Sequence, residues 1–242
     1  MKKVIHTKYL QASFMATFAL ATTAMLGLPL ESPAATLQFF GQDNAGGGLP
    51  VPNSAAAEAA FLSNLTGVGT ETFENAPLGS ANGFVSTFNG AGSATFTGNM
   101  SITSGVSFGT FPISGTRQVE GFANAFSIAF SKPVAAFGFY ATDVGDQGGS
   151  LKLSYANGPA TVIQLDQLLT SNGNALYLGY INTENPFTGV TFSNTSSDDR
   201  FGYDNMTIGS VQQVTVPDSG TTIAILGLAF AGIAGLRRKF GV

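Results

Sequence analysis

The chain has no cysteine and no tryptophan, and its single histidine is His6. Without cysteine there is no disulfide framework, no thiolate metal site and no cysteine nucleophile. With the only imidazole at position 6, the rest of the chain offers no Ser-His-Asp triad, no histidine-ligated zinc and no histidine general base. Cations are scarce too. Six of the ten Lys and Arg residues lie at the two ends, as Lys2, Lys3, Lys8, Arg237, Arg238 and Lys239. Only Arg117, Lys132, Lys152 and Arg200 stand between Ala35 and Val216, against twelve of the fourteen acids, so that stretch has a formal charge of −8. Nucleic acid and anionic membrane surfaces need clustered Lys and Arg. Neither is an expected partner of the body, whereas divalent cations are compatible with it. The lack of Trp weakens a sugar-stacking platform but leaves Tyr and Phe.

The two ends carry addresses. Lys2, Lys3 and Lys8 precede a nearly uniform apolar or small-residue stretch from about Ala12 to Leu30, and Ser32-Pro33-Ala34 supplies small residues for a signal peptidase. Residues 1–34 are therefore expected to be a signal peptide, the alternative being an uncleaved anchor. At the other end stand Val216-Pro217-Asp218-Ser219-Gly220, an apolar run from Thr221 to Leu236, and then Arg237-Arg238-Lys239. The run is about 16 residues, short of the roughly 20 that a spanning helix needs, and contains Gly227, Gly232 and Gly235. The basic cluster would stay cytoplasmic, placing the motif at the outer membrane face. A briefly held, then processed segment is the expectation for residues 216–242, with a plain membrane anchor as the alternative.

This tail resembles the PEP-CTERM sorting domains, in the variant whose motif reads V-P-D-S-G. The resemblance implies an exosortase-type cysteine transpeptidase acting near Val216 to Gly220, in a Gram-negative-type cell that makes exopolysaccharide.

Between the ends lie roughly 180 residues, enough for one ordinary core. Phe (21) and Gly (31) are abundant while charged residues are only 10%. Short apolar stretches alternate with Gly, Asn, Ser and Asp clusters, the pattern of many short strands joined by turns. Residues 35–210 are expected to form an all-β, two-sheet β-sandwich with jelly-roll-like connections, followed by a short stalk at 211–215. One helix is expected from about Ser54 to Leu65, with Ser54 as N-cap and Gly67 beyond its end. Strands are expected at Thr36–Phe40, Thr70–Phe73, Gly83–Phe88, Ala94–Thr97, Ser101–Phe108, Phe126–Phe130, Val134–Tyr140, Leu151–Tyr155, Ala160–Leu165, Leu176–Ile181, Val190–Phe192 and Tyr203–Ile208. Lys132-Pro133 is read as a strand break, and Asn157-Gly158 and Asn172-Gly173 as turns. Phe126, Phe130, Phe137, Phe139 and Phe192 are expected in the core.

Chemistry in the body rests on carboxylates. Asp143 and Asp146 share a Gly-rich loop between strands, which suits either an oxygen-rich calcium site or an ordinary turn. Glu74 and Asp204 are the further candidate ligands of such a calcium ion. Glu71 or Glu74 with Glu120 could supply the paired carboxylates of a glycoside hydrolase.

The body also resembles the exosortase-dependent surface proteins of the Npun type. The resemblance is carried by Phe73-Glu74, the run Phe137 to Asp146, the segment Asn185 to Phe192 and the closing run Phe201 to Gly209. Where relatives often carry an Asp-Asp pair before the end, this chain has Asp204-Asn205. The resemblance implies location more than chemistry. The expected precursor is exported and held in the inner membrane by its C-terminal segment. The processed product is a non-catalytic protein of the cell surface or matrix, with polysaccharide as a candidate partner. The alternatives are a carboxylate-dependent glycoside hydrolase acting on exopolysaccharide and an adhesin for a protein partner.

Overall fold

A computed structural model describes residues 36–144, 149–165, 172–194 and 200–215. The expected signal peptide, the sorting motif, the apolar run, the basic cluster and Asp146 lie outside the described residues. Ala34–Val216 forms one compact unit. No helix among the described residues is long and apolar enough to cross a membrane.

In chain order the elements are β1 (Thr36–Asp43), α1 (Pro52–Leu62), β2 (Thr70–Glu71), β3 (Gly79–Ser80), β4 (Val85–Phe88), β5 (Gly92–Ser104) and β6 (Arg117–Val134). There follow β7 (Ala136–Thr142), β8 (Gly149–Tyr155), β9 (Thr161–Gln164), β10 (Ala175–Asn182), β11 (Phe187–Asn194) and β12 (Arg200–Gly209), then a 3-10 turn at Val211–Gln213. The expected all-β fold with one short helix is present. The strands form a single twelve-stranded sheet in the order β1-β10-β7-β12-β6-β11-β8-β9, with β5 along β6 and β2 on β12.

The sheet curls because β6 changes neighbours halfway. Arg200 to Tyr203 of β12 pair with Phe122 to Val119, whereas Phe192 to Gly189 of β11 pair with Phe126 to Ala129. β5 follows β6 through both halves, with a register shift between Gly98 and Met100. A bulge of this kind turns a strand from one layer into the next. The two expected sheets are thus limbs of one sheet.

The limbs close on aromatic rings. Phe137 and Phe139 of β7 meet Phe192 of β11, which is not a hydrogen-bonded neighbour of β7, at centroid separations of 6.4 and 5.1 Å. Phe126 stacks on Phe192 at 4.6 Å, and Tyr203 lies 4.5 Å from the same ring. All five phenylalanines expected in the core are buried in this one cluster.

Several expected boundaries differ, two of them in ways that bear on the topology. Ala94–Thr97 and the first part of Ser101–Phe108 belong to the single strand β5, which stops at Ser104, and residues 105–108 are loop. β6 runs through Lys132-Pro133 to Val134. Proline is tolerated there because the β11 pairing skips from Ala129 to Val134 at a register shift, so no ladder N–H is needed at Pro133. The expected stalk at 211–215 is docked on the body instead. The Thr215 amide donates to the Asn64 carbonyl, and the buried Gln213 side chain donates to the carbonyls of Gly67 and Asn89.

The helix begins earlier than expected. Pro52 occupies its first turn, where a missing N–H costs nothing, and Val51 rather than Ser54 is the N-cap. The capping acceptor comes from β1: the Asp43 carboxylate takes the amides of Asn53 (3.1 Å) and Ser54 (2.8 Å). A negative group at a helix N-terminus also favours the macrodipole. The helix lowers Phe61 into a notch made by two glycines paired across β7 and β10, Gly138 and Gly179. A Cβ on Gly179 would come within 2.6 Å of the Phe61 ring, and one on Gly138 within 2.3 Å of the Tyr177 hydroxyl. Phe61→Ala should cost about 3–5 kcal/mol and Gly179→Ala about 1–3 kcal/mol. The double variant should cost less than the sum, since removing the ring vacates the space the methyl needs. Urea unfolding of the four proteins measures this, and strict additivity would refute the notch.

Candidate functional site

Side chains alternate along strands, so the outer face of β7, β12 and β6 can be read from register. Phe137, Phe139 and Ala141 face the core, which puts Gly138, Tyr140 and Thr142 outside. On β12, Phe201 and Tyr203 are core residues, leaving Arg200, Gly202 and Asp204 outside. On β6, Val119 is core, leaving Gln118, Glu120 and Phe122 outside. Pairing Arg200 with Phe122, Gly202 with Glu120 and Thr142, and Asp204 with Tyr140 makes these one surface.

Over this surface lies the loop joining β5 to β6, residues 105–116. Phe111 is buried in the cluster that contains Phe61, Tyr140 and Tyr177, with Ile113 packed against it. A covered loop must find acceptors for its amides, and carboxylates supply them. Asp204 Oδ2 accepts from the amides of Ile113 (2.8 Å) and Ser114 (2.9 Å). Glu74 Oε1 accepts from Thr116 (2.8 Å) and Arg117 (2.6 Å). Thr110 Oγ1 donates to Glu120 Oε1 at 3.0 Å, and Thr142 Oγ1 accepts the Phe111 amide at 3.3 Å. Asp143 lies directly under Gly109, where a Cβ would come within 2.4 Å of its carboxylate.

Backbone strain gathers at the same place. Four described non-glycine residues have positive φ: Phe73 (59°), Phe108 (48°), Asp143 (58°) and Asn205 (47°). Phe108 is in the loop. Asp143 is beneath it, Asn205 bonds its Ser114 hydroxyl (2.5 Å), and Phe73 precedes the Glu74 that anchors its end. Such conformations cost of order 1–3 kcal/mol each and cluster where structure serves function.

The structure therefore brings Asp143, Glu74 and Asp204 to one loop, but at three separate moorings. Asp143 Oδ1 also accepts the Gly173 amide at 2.7 Å. Among the described residues, which do not include Asp146, no group of three or more acidic side chains stands together. Of the other acids, Glu71 accepts the Phe73 amide and the Ser86 hydroxyl, and Glu120 is ion-paired with Arg200.

A further contact, between Arg200 and two phenylalanine rings, has no counterpart in the sequence reading. The Arg200 guanidinium carbon lies 4.1 Å from the centre of the Phe108 ring and 4.7 Å from that of Phe122. Its Nη1 is 3.5 Å from Glu120 Oε2. Phe108 is read from sequence as the end of a strand, and Arg200 only as one of the four cations of the body. The available signal is a lone Phe between Ser107 and Gly109 in a loop, and a lone Arg after Asp198-Asp199.

Electrostatics separates the moorings. The amides of Arg117 and Thr116 hold Glu74 below the usual carboxylate range. Burial pushes Asp204 up to about 7, against the pull of the Ser114, Asn205 and Ile113 amides, and the field of Glu74 adds to the rise. Burial also raises Glu58, which accepts the Tyr140 hydroxyl at 2.9 Å. For Asp204 the folded state holds a proton that the unfolded chain releases near 3.8. Its contribution to stability is thus complete below about pH 4 and lost as pH rises through about 7. Glu74 acts oppositely, its contribution being lost as acid protonates it. Urea unfolding from pH 4 to 8 should show a decline that Asp204→Asn flattens; an unchanged slope would show that Asp204 is not its source.

The calcium reading has its own test. The oxygens of Glu74, Asp143 and Asp204 already accept amides, so melting should be the same in millimolar calcium and in chelator. A calcium-dependent rise abolished by Asp143→Ala would instead place a cation at the Asp143/Asp146 loop.

Comparison with known proteins bears first on the tail. Residues 215–240 match the VPDSG-CTERM motif model. The chain thus carries a PEP-CTERM-like C-terminal sorting signal, as the resemblance of Val216 to Gly220 led us to expect. No curated protein matches the chain. Among solved structures, the K2 cleaved adhesin domain of Lys-gingipain is 14% identical over 58% of this chain and 97% of that domain, with TM-score 0.38. The C-terminal family 22 carbohydrate-binding module of Clostridium thermocellum Xyn10B is 12% identical over 61% and 96%, with TM-score 0.33. An exo-β-1,3-galactanase from Phanerochaete chrysosporium is 15% identical over 59% of this chain but 29% of that enzyme, with TM-score 0.33. Likeness of this degree carries no weight for ligand or activity.

Proposed function

We propose that this is an exported, non-catalytic protein of the cell surface or extracellular matrix that binds polysaccharide. A signal peptidase removes residues 1–34. The C-terminal segment holds the precursor in the inner membrane, and an exosortase-type transpeptidase acts at Val216 to Gly220. Residues 35–210 are the working body. The observation that carries this reading is the sorting motif at 215–240, which directs a chain outward whatever its body does. The body is consistent with life outside the cell: it has no thiol to oxidise and a formal charge of −8. The glycoside hydrolase alternative gains nothing from Glu71, Glu74 and Glu120. Each is occupied in holding backbone, hydroxyl or guanidinium groups.

Intact mass of the protein taken from its producing cell should lack the first 34 residues and everything beyond the Pro217 region. Finding Arg237 to Val242 on mature protein in the envelope would refute removal and favour a plain anchor.

A further inference from the structure

We propose that Phe108, Arg200 and Phe122, backed by Glu120, form a platform for pyranose units of a neutral polysaccharide. The proposal rests on the polysaccharide-binding reading and gives it a site.

Phe108 is 72% exposed, and the structure holds it out rather than letting it collapse. The Ser107–Thr110 turn is closed by reciprocal backbone bonds of 3.0 and 2.9 Å. The single Thr110 hydroxyl proton is shared between the Ser107 carbonyl at 2.7 Å and Glu120 Oε1 at 3.0 Å, and its Oγ1 accepts from Gln118 Nε2 at 3.0 Å. Phe108 adopts a left-handed backbone at its apex, unusual for a bulky side chain. The guanidinium of Arg200 sits against Phe108 and Phe122, and Glu120, only 1% exposed, fixes it by an ion pair.

The chemistry selects the occupant. A pyranose presents an apolar C–H face that can lie on the exposed ring and hydroxyls that can accept from a guanidinium. Ring surface beside a few fixed polar groups is the usual composition of a small-molecule site. A nucleic acid or polyanionic polysaccharide needs a basic track. The body has four cations in all against twelve acids, and its field opposes such polymers. A stable protein interface needs roughly 1,000 Å² or more, and only Val106 joins Phe108 as a strongly exposed apolar side chain on this loop.

Phe108→Gly separates recognition from folding, because glycine relieves the left-handed strain while removing the ring. The full-length chain in a zwitterionic detergent is titrated calorimetrically with mannan, xylan, β-1,3-galactan, the producing cell's own secreted polysaccharide and alginate. The native chain should bind at least one of the first four and bind alginate more weakly. Phe108→Gly and Arg200→Gln should each weaken binding at least about tenfold, with the melting temperature of Phe108→Gly unchanged or raised. Binding that survives both substitutions would overturn the platform and leave the polysaccharide reading standing. Failure of the native chain to bind any of them would overturn both. Tighter binding of alginate would overturn the neutral assignment. A dimer in sedimentation that Phe108→Gly dissociates would make this face a contact between copies and overturn the platform.

Discussion

β6 serves two limbs, and the rest of the structure is arranged by that division. Its first half belongs with β12 and β7, its second with β11 and β8. Because β5 pairs with both halves of β6, from Arg117 to Gly121 and from Phe126 to Phe130, the sheet curls at the register shift between Gly98 and Met100 without coming apart. The curl brings Phe137 and Phe139 against Phe192 and Phe126. Each ring buries a large apolar surface and meets its neighbours edge-on or offset, the favoured geometries. The same strand pair determines where its connecting loop emerges, and that loop carries the candidate site.

Scarcity of cations shapes how the loop is held. In most proteins buried carboxylates are offset by Lys or Arg. Here one ion pair, Arg200 with Glu120, is found among the described residues. Asp43, Glu74 and Asp204 instead accept backbone amides. Amides are fixed by the chain, so such bonds position a loop more rigidly than a long cationic side chain could. The cost appears where burial is deep, as the raised proton affinity of Asp204 shows.

Much of the fold is legible in the sequence because period-two patterns and turn pairs are local signals. Phe126, Phe130, Phe137, Phe139 and Phe192 can be assigned to the core in this way, and all five are buried there. The glycines at 138 and 179 are not interpretable locally, since their use depends on a ring from α1 that lies far away in sequence. Pro133 misleads because its tolerance depends on the partner strand's register. Asp143, Glu74 and Asp204 can be singled out as acids in short polar segments, but sequence cannot say that Glu74 and Asp204 take amides of residues 113–117 while Asp143 takes that of Gly173. The stalk fails as an expectation because the anchor, Gln213, reaches carbonyls 146 and 124 positions earlier in the chain.

The platform follows from the same accounting. Glu71, Glu74, Asp143 and Asp204 are engaged as acceptors by the fold, and neither imidazole nor thiol is present in the body. Beside β6 and β12 the Phe108 ring stands in solvent, 72% exposed, with the Arg200 guanidinium against it. Glu120 anchors that guanidinium from below while Thr110, bonded to the same carboxylate, holds the turn that carries the ring. One buried carboxylate therefore fixes both parts of the platform. Its geometry is set before any ligand arrives, which lowers the ordering cost of binding.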